Sequence, residues 1–289
     1  MAETKTILVA GATGQQGGAV ARGLVKRGHR VKGLTRSPQK VAGLRALGVE
    51  GIVGDLTDKA SLAPALRGVD GFFIVTTPFN PDFSVDTPKE VLQGTVAVDA
   101  ARAAAVPHVV LSSVASADED TGIPHFESKA AVERHLKTSG LRYTITRPVA
   151  FMDGYTAPWM LGALQAGVLS LPMPPETRQQ LVAVRDIGEI VTRVFENPAK
   201  AAGRTVELAG DQLTVGDVVV RLSKWLGRPL RYVEQSEEEA VRRMGEDGIR
   251  MFRFFKEKGY HVDIAALERE WGYRMTRLDE FLKAGTVAD

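Results

Sequence analysis

The chain has 289 residues, enough for one large α/β domain or for a nucleotide domain with a smaller companion. Its 44% hydrophobic and 25% charged content excludes disorder and fibrous repeats. With 37 basic and 35 acidic residues the formal charge is +2, too balanced for the strong field that draws a protein to phosphate backbones or anionic membranes.

The absence of cysteine excludes disulfides, thiolate nucleophiles and Cys-ligated metals. His29, His108, His125, His135 and His261 lack the i, i+4 pair plus carboxylate of a helical zinc site, so no metal is expected. The polar start, Met1 to Thr6, has neither the basic nor the apolar region of a signal peptide, and no apolar stretch approaches the ~20 residues of a membrane span. A cytoplasmic protein with no membrane partner is expected. No helix-turn-helix or basic cluster emerges, so direct nucleic-acid binding is not expected either.

In chain order, the predicted strands are Thr6 to Ala10, Arg30 to Thr35, Gly51 to Gly54, Gly71 to Val75, His108 to Ser112 and Arg142 to Arg147. Several are apolar at nearly every position, which suits strands buried on both faces of a parallel sheet. Helices are predicted between them. From Gly17 to Arg27, Val20, Leu24 and Val25 form one apolar stripe. Ser37-Pro38 and Thr87-Pro88 each set an N-cap residue before a proline at the first helical position. Strand and helix in alternation predict a Rossmann-type, doubly wound parallel sheet with right-handed crossovers.

The first strand runs into Gly11-Ala12-Thr13-Gly14-Gln15-Gln16-Gly17-Gly18 and then an amphipathic helix. A strand ending in G-x-x-G-x-x-G makes a turn tight enough to seat a pyrophosphate at the helix N-terminus. Gly11, Thr13, Gly14, Gln15, Gln16 and Gly17 are the predicted contacts. The second strand ends in Thr35-Arg36, where an NAD site commonly carries an acidic residue. Arg36 would instead pair with a 2′-phosphate, assisted by Lys40, so the predicted cofactor is NADP(H). Asp55-Leu56, after the third strand, lie at the rim of the adenine pocket, or Asp55 caps the helix beginning near Asp58. Thr76, after the fourth strand, and Pro148, after the sixth, complete the expected nucleotide contacts.

Beyond Arg147-Pro148 the alternation stops, and Pro158, Pro172, Pro174 and Pro175 punctuate an irregular stretch. The expected division is an NADP-binding domain over 1–150 and a smaller substrate- or partner-side α+β region over 151–289, packed with the first as one body. The later elements are a strand at Leu181 to Val184, a helix from Asp186, a strand at Thr205 to Leu208 and a helix from Val215. Thr214 caps that last helix, and Val215, Val218, Val219, Leu222 and Leu226 fall at helical spacing. Tyr155 either reaches the nicotinamide end as an acid or packs in the core with its hydroxyl at the surface. Phe151 and Trp159 would line the same mouth. From Arg242 to Lys258 charges alternate as on a solvated face, yet Met251, Phe252, Phe254 and Phe255 offer more apolar surface than a lone helix buries. They would cover the substrate pocket or meet a partner protein.

The glycine spacing, Arg36 and Val110-Leu111-Ser112-Ser113 resemble the short-chain dehydrogenase/reductase superfamily. More narrowly, Thr35-Arg36-Ser37-Pro38, His125-Phe126-Glu127-Ser128-Lys129, Arg147-Pro148 and Met251-Phe252-Arg253-Phe254-Phe255 resemble the NmrA-like, atypical branch over nearly the full length. That branch includes redox-sensing regulators and quinone-type reductases. In the superfamily's enzymes a Ser, a Tyr and a Lys four residues after the Tyr form the catalytic group. The resemblance places Ser112 and Lys129 in that frame, with His125 at the Tyr position.

A Tyr there donates a proton to the carbonyl oxygen receiving hydride, while the Lys ammonium lowers its pKa and holds the ribose. His125 and Lys129, at i and i+4, share one helix face. A neighbouring ammonium disfavours the imidazolium that proton donation requires. Sensors of the branch also carry His-Phe-x-x-Lys here, which the resemblance implies is a nucleotide-binding arrangement.

The sequence alone therefore favours an NADP(H)-binding redox-state sensor or regulatory module. The alternative is an NADPH-dependent reductase of quinones or other conjugated acceptors. The expected partners are NADP(H) and either a small-molecule acceptor or a regulatory protein, and the chain is expected to be a monomer or homodimer. The segment Ala115 to Pro124, with Asp118, Glu119, Asp120 and Gly122, reads as a mobile loop over the site.

Overall fold

The computed structural model describes residues 3–80, 82 and 84–285. In chain order the elements of the first half are β1 (Thr6–Val9), α1 (Gln15–Lys26), β2 (Arg30–Thr35), α2 (Val41–Ala46), β3 (Glu50–Val53), α3 (Lys59–Ala65), β4 (Gly71–Val75), α4 (Thr87–Ala103), β5 (Val109–Ser112), α5 (Pro124–Thr138) and β6 (Tyr143–Pro148). Next come β7 (Ala150–Phe151), α6 (Pro158–Gln165), β8 (Val168–Leu171), β9 (Arg178–Val182), α7 (Val184–Glu196), α8 (Pro198–Ala201) and β10 (Arg204–Leu208). The last are β11 (Asp211–Thr214), α9 (Val215–Leu226), β12 (Arg231–Glu234), α10 (Glu237–Glu257), α11 (Ile264–Trp271) and α12 (Leu278–Lys283).

The chain forms two compact units. The first takes residues up to 120, 124–147 and 187–207; the second takes 121–123, 148–186 and the chain from 208 on.

The first unit is built on a seven-stranded sheet of order β10-β6-β5-β4-β1-β2-β3. From β3 to β6 every neighbouring pair is parallel. Successive residues of the inner strands, Ile7 to Val9, Phe72 to Ile74 and Val109 to Leu111, are almost wholly buried. Consecutive strand residues are buried only where both faces of the sheet are covered, because their side chains alternate sides, and here helices supply the cover. One such core joins Leu8, Phe72, Ile74 and Leu111 to Leu62, Val98 and Val132 from the helices. Full burial of each large apolar side chain contributes about 1.5–3 kcal/mol before entropy is counted. Strand order reverses between β1 and β4, and the carboxyl edge of the sheet at that reversal is where such folds open a ligand crevice.

In the second unit β9 pairs antiparallel with β11 and parallel with β7, while β8 and β12 form a separate parallel pair. Thr214 caps α9 as its sequence predicts. Its hydroxyl accepts from Asp217 N at 3.0 Å, and the Asp217 carboxylate accepts from Thr214 N at 3.0 Å. This reciprocal pair satisfies two backbone donors at once.

One predicted cap is corrected, and another keeps its place without a side-chain bond. The α4 cap is Asp86, which accepts from Lys89 N at 3.0 Å, and Thr87 is already helical. A carboxylate is the better acceptor at the positive end of a helix. Ser37 stands at the predicted N-cap position before Pro38, at the head of the 3-10 turn Pro38–Lys40, but its hydroxyl donates to Gln39 Oε1 at 2.7 Å and makes no cap bond.

The segment Arg242 to Lys258 is not one straight solvated helix. Gly245 takes φ +70°, a left-handed value that glycine adopts without strain, and α10 turns back there. Glu237 consequently accepts from Arg253 at 2.7 Å and Lys256 at 3.2 Å. A straight helix would hold Glu237 and Arg253 about 24 Å apart. Folding back packs Met251, Phe252 and Phe255 around Met173, Val215 and Tyr232. The second unit's own core thus takes up the apolar surface that the sequence leaves over. Among the described residues no helix is long and apolar enough to cross a membrane.

Candidate functional site

The turn after β1 is built from three glycines with different jobs. Gly11 stands at φ +60°, and Gly14 N donates to Gly11 O at 2.8 Å to close the turn. A Cβ on Gly17 would lie 2.3 Å from Gly11 O and 2.4 Å from Ala10 O, so only glycine lets α1 press against the strand end. A Cβ on Gly14 would meet nothing nearer than Gly11 O at 3.3 Å, and Gly14 is exposed. Gly14 is the N-cap of α1, with no side-chain cap and no acidic residue in the first turn. The N–H groups that begin every helix without intrahelical partners therefore have no side-chain acceptor among the described residues, which suits an anion. Thr13 and Gln15 flank this cradle exposed, and Gln16 is half-buried. The cradle fits a dinucleotide pyrophosphate.

At the end of β2, Arg36 is exposed and makes no ion pair among the described residues. Partial burial opposes charge on Asp55, but hydrogen bonds from Thr57 N and Oγ1, both 2.8 Å, together with Arg36, hold its carboxyl below the usual range. The cap of α3 is Asp58, which accepts from Ala60 N at 2.9 Å, so the capping alternative for Asp55 is corrected. Lys40 is exposed at the end of its 3-10 turn, and Leu56 packs against the sheet core.

The carboxyl ends of β4 and β5 bring more of the predicted residues together. Ser112, buried, donates to Gln16 Oε1 at 2.7 Å, linking β5 to the first turn of α1. Val75 stands beside the glycine turn, 3.2 Å from where a Gly11 Cβ would be. Next to it Thr76 donates to Glu90 Oε1 at 2.8 Å. Lys129 Nζ donates to the same oxygen at 2.7 Å, and Ser128 Oγ donates to Glu90 Oε2 at 2.5 Å.

Glu90 is fully buried and escapes the sequence reading. In the first turn of α4 it looks like an acidic residue placed for the helix dipole. The available signal is its phase, because Gln93, Gly94, Ala97 and Ala101 at i+3, i+4, i+7 and i+11 are all buried.

His125 is buried at the start of α5, one helical turn before Lys129. Its ring is tilted against Phe79 at 5.7 Å between centroids and edge-on to Phe126 at 4.8 Å. Phe79 is 46% exposed.

The segment Ala115 to Pro124 is more firmly held than its polar composition suggests. Ala115, Ala117 and Ile123 are buried. Arg147, also buried, donates to Asp118 at 2.5 Å and grips Glu133 through two bonds of 2.8 and 2.7 Å. Burial disfavours both charges of the Arg147–Glu133 pair, yet the bidentate bonds prevail, holding the Glu133 carboxyl below its usual range and raising the guanidinium.

Tyr155 belongs to the second unit, where its hydroxyl donates to Gln179 Oε1 at 3.1 Å inside the core and not at the surface. Burial, with Tyr232 nearby, pushes this phenol up, away from proton donation near neutral pH. Pro148 is buried at the end of β6, Phe151 is half-buried in β7, and Trp159 is exposed.

Comparison with known proteins places this architecture. An NAD(P)H azoreductase of Xenophilus azovorans is 30% identical over 239 residues, covering 82% of this chain and 80% of that protein. A Citrobacter triphenylmethane reductase, solved with NADP(H), superposes with a TM-score of 0.82 at 23% identity, over 96% of this chain and 99% of that one. NmrA, a negative transcriptional regulator solved with NADP, gives a TM-score of 0.79 at 20% identity, over 98% and 95% of the two chains. The model of the NmrA-like family matches residues 3–287, nearly the whole sequence, and the chain belongs to that family.

Proposed function

We propose that the chain binds NADP(H) on its first unit and uses it as an NADPH-dependent reductase of a flat, conjugated acceptor such as a quinone or azo compound. The observation that carries this reading is the exposed Phe79 side chain, its ring tilted against His125, which lies one helical turn before Lys129. Flat π-systems stack on such a ring, whereas a small aldehyde gains little from it.

The uncapped N-terminus of α1 would hold the pyrophosphate, Arg36 and Lys40 the 2′-phosphate, and Lys129 the nicotinamide ribose. Bound NADPH supplies a hydride, that is two electrons and one hydrogen. One further proton completes the reduction, from His125 or from water. A conjugated acceptor spreads the developing negative charge and needs less acid assistance than an isolated carbonyl, which suits a site with His where the superfamily's enzymes carry Tyr.

One of the reasons the sequence gives for a sensor, beside the altered proton donor and the His-Phe-x-x-Lys resemblance, is an unbalanced ammonium near His125. In the structure that ammonium is paired with Glu90. The name of the Xenophilus relative adds support, since an azo group is a conjugated acceptor.

The sensor is the second reading, and one contact favours it: Ser112 is engaged with Gln16 of the nucleotide cradle. Anaerobic incubation with NADPH and a panel of quinones, azo dyes, enones and aldehydes decides between the two. Nicotinamide oxidation with the flat acceptors is expected. NADPH binding without turnover across the panel would leave the sensor.

A further inference from the structure

Glu90 lies inside α4 with no exposed surface, and each of its carboxylate oxygens is tied down. Thr76, at the end of β4, holds Oε1, and Ser128, on α5, holds Oε2. A carboxylate gripped by hydroxyls from two elements cannot turn, so the bond it accepts from Lys129 at 2.7 Å has one direction. Lysine is otherwise a poor anchor, because its four-carbon stem has many rotamers and loses that freedom on ordering. Here the Lys129 side chain is only 13% exposed, and among the described residues Glu90 is the single acceptor of its three ammonium donors. Two donors remain for other acceptors.

Stability alone does not account for this arrangement. A buried ion pair is often no better than an apolar pair of the same volume. Its distinctive product is a charge held at one point, at the sheet edge that also carries the glycine turn.

We propose that Glu90 is a positioning residue, which fixes the Lys129 ammonium where it meets the nicotinamide ribose of a bound dinucleotide. This rests on the NADP(H) reading above. Glu90 touches neither nucleotide nor acceptor and acts through Lys129.

The test uses two probes that share one half. NADPH spans the whole site, whereas adenosine 2′,5′-bisphosphate carries the adenosine and 2′-phosphate without the nicotinamide ribose. Calorimetry on the full chain compares the unmutated protein, Glu90→Gln, Lys129→Met and the double variant. Glu90→Gln is expected to weaken NADPH about 10-fold, the size of one lost charge-assisted contact, while adenosine 2′,5′-bisphosphate binds within about twofold of the unmutated protein. Acting through Lys129 also means that the double variant binds NADPH no worse than Lys129→Met. If Glu90→Gln does not fold, the double variant still decides, because it leaves no buried charge unpaired: further loss of NADPH affinity beyond Lys129→Met overturns the proposal. Equal weakening of both probes in Glu90→Gln would mean general damage and overturns it too, as does unchanged NADPH affinity. Binding of neither probe by the unmutated protein removes the NADP(H) reading itself.

Discussion

Lys129 Nζ donates to Glu90 Oε1 at 2.7 Å, so the cation one helical turn after His125 is one half of a buried ion pair. The pair changes what the His-Phe-Glu-Ser-Lys segment means. Four residues apart on a helix, an isolated ammonium and an imidazole repel when both are charged. With a carboxylate on it, the Lys129 ammonium is not such an isolated charge.

The chain is expected to bind NADPH about 10- to 150-fold more tightly than NADH, since Arg36 stands exposed at the end of β2, the position proposed above for the 2′-phosphate contact. A charge-assisted contact of ~1.5–3 kcal/mol sets that range. Arg36→Glu should abolish or reverse the preference. Calorimetry with both dinucleotides checks it, and equal affinities in the unmutated protein would remove Arg36 from the site.

Gly14 and Gly17 should fail differently. Gly14→Val adds a side chain on the exposed face of the cradle, so the protein should fold, with an unchanged circular dichroism spectrum, and bind no NADPH. Gly17→Ala drives a Cβ into the carbonyls of Ala10 and Gly11 and should lower stability by about 1–3 kcal/mol in urea titrations. A fully stable Gly17→Ala protein would contradict the packing described at the end of β1.

His125→Phe keeps an aromatic ring against Phe79 and deletes the proton donor. If His125 supplies the proton, kcat with a quinone should fall about 100-fold or more while the NADPH dissociation constant stays within about twofold. Stopped-flow reduction and fluorescence titration measure the two quantities separately. An unchanged kcat would assign the proton to water.

His108 makes stability fall in mild acid. Its Nε2 lies 2.9 Å from Thr144 Oγ1, whose own hydrogen goes to Ala201 O at 2.8 Å, so the imidazole donates as the neutral tautomer. Burial, with Arg142 and Lys5 adding repulsion, pushes its pKa from 6.5 down to about 4. Between those values the unfolded chain takes up a proton that the folded one refuses. The contribution is therefore complete above about pH 6.5 and is lost as pH falls towards 4, by up to about 3 kcal/mol. Urea midpoints of the unmutated protein and His108→Asn should converge as pH drops from 7 to 4.5, and a constant gap would show that His108 does not titrate this way.

The local features of this protein are legible in its sequence. The six strands β1 to β6, the glycine turn with a strand before it and a helix after it, Arg36 at the end of β2 and the Thr214 cap all follow from periodicity and turn chemistry over a few residues. What the tertiary structure decides is which distant groups meet. Glu90 reaches Lys129 across 39 positions, Arg147 joins Glu133 to Asp118, and Gly245 folds Glu237 onto Arg253. The short strands β7, β8, β11 and β12 likewise exist only because a partner lies alongside. A carboxylate in a helix's first turn has the same local pattern whether water or a lysine faces it. Its charge becomes part of a site only when packing removes the water and brings the lysine opposite.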